Sequence, residues 1–256
     1  MTSLPSHALA LLQEALETGS LSLAYQPQVE LATGRIVGWE ALSRWHHPEH
    51  GTIAPDAFIP LAEQHGLIVP LGQWLWHQAT QDLHTLLGSY PHTRLAINVS
   101  MLELSHTDFF QRLNHLLNTL PPAHLQHLEV ELTETAYLGC TQQLIAPLQA
   151  LQQRGITLAI DDFGTGHSSL ERLHALPFNK IKLDKSFIQQ LASQQDEWFV
   201  QETIALAARL GTELVCEGIE TAQQASQLQQ LGVQFGQGFY FGKPMPLAHW
   251  TTPQHP

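Results

Sequence analysis

Two acids stand side by side in the stretch LAIDDFGTG, where Asp161 and Asp162 close an apolar run and a glycine-spaced loop follows. An adjacent carboxylate pair at one point of the backbone can bridge two divalent cations about 3.5–4 Å apart, the spacing used in phosphoryl transfer. Other apolar runs also end in polar residues: Glu40 in RIVGWEAL, Asn98 in RLAINVS, Glu131 in LEVELTE, Lys182 in KIKLD and Glu217 in ELVCEGIE. A lone acid at such a place usually caps the helix that follows. Recurrence in run after run asks for more. If the acids converge, each like-charged pair at ~4 Å costs roughly 4 kcal/mol at an effective dielectric of 20. They must then either keep their protons or hold cations. A cluster of carboxylate oxygens with one amide favours Mg²⁺ or Mn²⁺ over a zinc thiolate site.

Convergence has to come from the elements that carry these residues. The short β-like runs alternate with helical stretches such as TQQLIAPLQALQQRG and EWFVQETIALAARLG, which predicts βα units around a mostly parallel sheet. Their number in 256 residues predicts an α/β fold of the modified TIM (β/α)8 barrel type, whose C-terminal strand ends share one face. The first stretch breaks the pattern. LSLAYQPQVELATGRIVGWEALSRW contains two strand-like runs joined by the turn signal ATGR, so the first strand should be antiparallel. In KIKLD, alternation turns either Lys180 and Lys182 or Ile181 and Leu183 inward, and a buried lysine needs an anionic partner.

Composition narrows the function classes. With 43% hydrophobic and 13% charged residues the chain is globular. A formal net charge of −12 and the lack of any Lys/Arg-rich run oppose binding to a nucleic acid polymer or an anionic membrane surface. Cys140 and Cys216 form no CxxC spacing and are too few for a disulfide framework, which points to a reducing, cytoplasmic setting. The N-terminal stretch reads as a short amphipathic helix with no basic leader, and no run of 18 apolar residues predicts a membrane span.

Trp39 to Trp45, WEALSRW, contains Glu-Ala-Leu, and with it the chain resembles the EAL-domain phosphodiesterases that hydrolyse cyclic di-GMP. The likeness continues in family order through YQPQV, FIPLAEQHGLI, NVS, ELTET, DDFGTGHSSL, IKLDKSFI, CEGIET and GQGFYFGKPMP. The resemblance implies a single domain over residues 1–256, of the kind also found within longer multidomain signalling proteins beside sensory domains. It implies metal ligation by Glu40, Asn98, Glu131, Asp161, Asp162 and Glu217, with two Mg²⁺ or Mn²⁺ ions per site. It further implies that Lys182 orients the attacking water, that Arg44 grips a substrate phosphate, and that Gln26, Leu42 and Gln237 also meet the substrate. Glu40, Lys182, Glu217 and Glu134 form the catalytic set, Glu134 acting by holding the DFGTGHSS loop. Linear pGpG is the implied product and a homodimer the implied assembly. A domain that binds cyclic di-GMP without cleaving it is the alternative, and a hydrolase of another phosphodiester is a second.

Several positions depart from the family pattern: His167 where tyrosine is common, Asn179 and Gln234 where aspartate is common, and Lys185 where arginine is common. None is an inferred metal ligand. Gly164 and Gly166 are expected to give the loop backbone angles that a Cβ resists. Glu134, three residues beyond Glu131, is expected at the end of the same strand. His46, His47 and His50 lack the spacing of a metal motif, Cys216 reads as an inert buried thiol, and Trp74 and Trp76 read as helix packing.

Overall fold

In the computed structural model, residues 7–140, 142–166, 173, 176–189, 191 and 194–252 are described. Among them, eight strands close a barrel: β1 (Leu21–Glu30), β2 (Ile36–His47), β4 (Arg94–Asn98), β5 (Leu128–Thr133), β6 (Thr157–Phe163), β7 (Lys180–Leu183), β8 (Glu213–Cys216) and β9 (Phe235–Gln237). A further short strand, β3 (Gly51–Ile53), pairs with the end of β2 outside the ring. From β2 through β4 to β9 successive neighbours are parallel, whereas β1 is antiparallel to both β2 and β9 and closes the ring between them. The sequence reading of an antiparallel first strand is borne out, and the turn at ATGR joins β1 to β2 as a hairpin.

Helices follow most of the parallel strands and bury their apolar faces on the outside of the ring. The longest, Ile68–Ser89, buries Leu71, Leu75, Trp76, Ala79, Leu83 and Leu86. These residues follow the three- and four-residue spacing that puts one face of a helix against a sheet. Trp76 is buried and Trp74 packs at the edge of the core, as expected of that helix. A second, smaller apolar cluster joins helix Ala8–Thr18 and helix Pro55–Gln64 through Leu12, Trp45 and Phe58. None of the described helices is long and apolar enough to cross a membrane.

The inside of the ring is polar where a barrel is usually aliphatic. Both lysines of β7 face it. Lys180 donates to Glu129 Oε2 at 2.5 Å and to Gln28 Oε1 at 3.2 Å. Since β7 and β1 are not neighbours in the sheet, the second bond crosses the interior. Lys182, one step of the pleat further along, is fully buried among acids nearer the C-terminal strand ends.

Candidate active site

The C-terminal ends of the parallel strands bring the acids together around Lys182. Its Nζ lies 2.8 Å from Glu217 Oε1, 2.9 Å from Glu131 Oε2, 3.1 Å from Asp161 Oδ1 and 3.6 Å from Glu40 Oε2. One ammonium thus faces four carboxylates, delivered by β2, β5, β6 and the residue after β8. Carboxylate oxygens of Glu40, Glu131 and Asp161 lie within 4.8 Å of one another, and so do those of Asp161, Asp162 and Glu217. Asp161 belongs to both groups, which places it between two possible cation positions.

Glu40 is held from two sides. Asn98 Nδ2 donates to its Oε1 at 2.7 Å and Gln237 Nε2 to its Oε2 at 2.5 Å. Gln237 also donates to Gln26 Oε1 at 3.2 Å, and Gln26 Nε2 donates to the Gly242 carbonyl. Gln26 and Gln237 therefore form a chain of amides ending on Glu40, a contact that the sequence did not reveal.

Charge balance decides what the cluster can hold. Burial pushes the Glu40 carboxyl up, but Lys182, Asn98 and Gln237 outweigh it and hold the group below the usual carboxylate range. Glu131 is driven well up by burial, against the pull of Lys182 and with repulsion from Glu40 and Asp161. Burial, followed by repulsion from Asp161, brings Asp162 to about 6, and burial brings Glu217 to about 8 despite Lys182. Lys182 itself is pushed down by burial and pulled further up by Asp161, Glu131, Glu217 and Glu40. A single lysine does not balance this many acids, and Glu131 Oε1 is buried without a hydrogen-bond partner among the described residues. The donor set, carboxylate oxygens and one amide, fits hard divalent cations, which would displace the retained protons.

The loop behind Asp162 is built on Glu134. Glu134 is not at the end of β5 as the sequence suggested: the strand stops at Thr133, whose hydroxyl caps helix Glu134–Gly139 by accepting from Ala136 N, so Glu134 is the first helical residue. From there Glu134 Oε2 accepts from Gly164 N at 2.9 Å and Gly166 N at 3.0 Å. Gly164 has φ 99°, as expected of a glycine in that turn. Gly166 differs from expectation, having no left-handed angle. Its glycine is needed for closeness, because a Cβ there would lie 2.9 Å from Glu134 Cδ. Asp162 itself takes the left-handed angle, φ 53°, rare for a side-chain-bearing residue.

A cavity of about 370 Å³ opens over these groups, lined by Glu40, Asp161, Asp162, Glu217, Gln26, Leu42 and Gln237 among others. Asn98 faces a neighbouring cavity of about 270 Å³ that Leu42 shares. Arg44 is half-buried two residues beyond Leu42 on the same side of β2, and its Nη1 donates to the Ser43 carbonyl; it does not line the larger cavity. Lys185, Gln189 and Phe239 do line it, and the sequence reading gave none of them a role at the site. Phe239 was legible as an aromatic in GQGFYFGKPMP, and it is 55% exposed with Lys243 Nζ 5.5 Å from its ring centre.

Among the departures, Asn179 Oδ1 accepts from Leu158 N and its backbone bonds both Leu158 and Glu213, so it ties β6 to β8 below β7. The Gln234 carbonyl accepts from Leu31 N. His167 lies outside the described residues. Cys216 is fully buried and burial drives its thiol well up, which makes it inert. Of the clustered histidines, His47 accepts at Nδ1 from the backbone of Glu49 and His50, the work of a turn.

Residues 10–244 match the model of a family described as the EAL domain. The chain is 39% identical over 239 residues to the bifunctional diguanylate cyclase/cyclic di-GMP phosphodiesterase MucR of Pseudomonas aeruginosa, covering 92% of this chain and 34% of that protein. It is 40% identical to the cyclic di-GMP phosphodiesterase NbdA of the same organism, covering 93% of this chain and 30% of NbdA. The chain thus spans about a third of the length of these relatives. A solved structure of the PaMucR phosphodiesterase in complex with c-di-GMP superposes with a TM-score of 0.87 at 39% identity, covering 93% of this chain and 97% of that one.

Proposed function

The chain belongs to the EAL-domain family, and we propose that it hydrolyses cyclic di-GMP to linear pGpG with the help of two divalent cations. The observation that carries this reading is the set of four carboxylates within 3.6 Å of Lys182 at the strand ends, beneath an open cavity. Glu40, Asn98, Glu131, Asp161, Asp162 and Glu217 are the residues that would hold Mg²⁺ or Mn²⁺. When bound, such ions supply Lewis acidity toward a phosphate and a water of lowered pKa.

The chain's own groups supply the rest. Lys182, dry and fixed by acids on several sides, presents a proton donor whose position does not drift, and it orients the attacking water. Arg44 offers a planar fork that suits a substrate phosphate. Gln237 and Asn98 fix both oxygens of Glu40, so that this carboxylate keeps one orientation during turnover. Leu42 and Gln26 shape the cavity wall, and the exposed ring of Phe239 offers a flat surface at its mouth. The water oxygen bonds to phosphorus, one ring P–O bond breaks in line, and the freed 3′ oxygen leaves with a proton. Glu134 acts through Asp162, by anchoring the loop that follows it. The two free cysteines accord with a cytoplasmic site of action.

The test is turnover of cyclic di-GMP by the purified protein, followed by chromatography with Mg²⁺ or Mn²⁺ and after exhaustive chelation. Metal-dependent accumulation of pGpG supports the reading. Saturable binding with the cyclic nucleotide recovered intact would make the chain a binding domain, and undiminished turnover after chelation would remove the cations from the mechanism.

A further inference from the structure

A second cavity, of about 390 Å³, lies between the long helix Ile68–Ser89 and helix Phe109–Leu117, and none of the acids around Lys182 lines it. Its walls are apolar and largely aromatic, with Trp76, Phe109, Leu113 and Leu116. Volume and lining are those of a small-molecule pocket. Arg112 stands at the mouth, where its pairing with exposed Asp108 at 3.6 Å is a surface contact of little strength.

The floor is Glu103, 4% exposed, which also forms part of the wall of the cavity that Asn98 faces. Its carboxyl is seated so closely on the long helix that a Cβ at Gly72 would lie 2.1 Å from Oε1. Burial pushes this carboxyl up to about 8 against the pull of Arg112 and of a backbone hydrogen bond from Ser100, so near neutrality it is mostly uncharged. An apolar chamber with a guanidinium in its lining calls for a ligand with an apolar body and an anionic head.

We propose that this cavity binds a small apolar carboxylate, its hydrocarbon body against Trp76, Phe109, Leu113 and Leu116 and its carboxylate against Arg112. Octanoate is the probe, titrated into the protein by calorimetry and by NMR of the leucine methyl groups. Saturable binding with a dissociation constant of about 1 mM is expected, the scale for a ligand of roughly ten heavy atoms. Octylamine, with the same tail and the opposite head, should bind at least about tenfold more weakly, and Arg112→Gln should weaken octanoate by about tenfold. Leu113→Trp, which fills the chamber, should remove binding. Arg112 is part-exposed, so its variant decides the matter even if the filled variant fails to fold. The proposal is overturned if octanoate does not saturate, if the Leu113 and Leu116 methyls do not shift, if octylamine binds equally well, or if Arg112→Gln leaves the affinity unchanged.

Discussion

Glu134→Ala removes the acceptor that Gly164 N and Gly166 N share at 2.9 and 3.0 Å. Hydrogen bonds to a charged group contribute about 1.5–3 kcal/mol each. Both glycines are half-buried, so water recovers part of that, and a net loss of about 2–3 kcal/mol of loop anchoring is expected. The loss falls next to a strained residue. Asp162, two positions before Gly164, holds φ 53°, a conformation that costs about 1–3 kcal/mol and persists only while its surroundings enforce it. Released, Asp162 should relax toward an ordinary angle and carry its carboxylate off target, and a displacement of about 1 Å can cost roughly 100-fold in rate. Asp161, lodged in the strand and paired to Lys182, should stay. The variant should therefore keep one tight metal site and nucleotide binding, weaken the second metal, and lose about 100-fold in kcat. Calorimetric Mn²⁺ titration beside a cyclic di-GMP rate assay measures this. Loss of both metal sites would make Glu134 a direct ligand, and an unchanged kcat would refute the anchoring argument.

Three further outcomes are expected. Lys182→Met strips the acids of their buried counter-charge and should lower stability in chelator by about 3–5 kcal/mol, with Mg²⁺ recovering most of it; urea unfolding with and without Mg²⁺ checks this, and a loss that Mg²⁺ does not reverse would count against cation binding there. Glu217 and Glu103 have folded-state carboxyls pushed to about 8, above their ordinary 4.5, so their stabilisation is complete below that ordinary value and is lost as pH rises through about 8. Urea midpoints at about pH 5, 7 and 9 should fall with pH in chelator, and Mg²⁺ should flatten the Glu217 share while leaving that of Glu103; an identical slope with and without Mg²⁺ would contradict the assignment of Glu217. Asp162→Gly should leave the metal-free protein as stable or about 1 kcal/mol more stable, by relieving the left-handed strain, while losing turnover; a clear drop in Tm would show that the aspartate supports the fold.

Much of the barrel was legible because each long parallel strand announces itself as an apolar run ending in a polar residue. Glu40, Asn98, Glu131 and Asp161 could be placed at one face from that pattern alone. β9 escaped because three residues with a central glycine, Phe235–Gln237, are too few to show alternation and the glycine is disfavoured in strands. β3 is as short, and it is a strand only because the end of β2 lies beside it. The amide chain from Gln26 through Gln237 to Glu40 joins residues up to 211 positions apart, and no local spacing encodes such a partner. Lys180 and Lys182 were recognisable as an inward-facing pair or an outward one. The choice was made by Glu129 and the acids around Lys182, which lie on other strands or, for Glu217, just beyond one. Gly166 was misjudged for a related reason: what excludes a side chain there is Glu134, thirty-two residues earlier, and not the local backbone angle.

The central claim, that the strand-end acids hold two cations about 3.5–4 Å apart, is most directly tested by growing crystals with Mn²⁺ and locating the metal by anomalous scattering. Two peaks at that separation, one contacted by Glu40, Asn98, Glu131 and Asp161 and the other by Asp161, Asp162 and Glu217, are predicted. A single peak, peaks away from these carboxylates, or none at saturating Mn²⁺ would contradict the account.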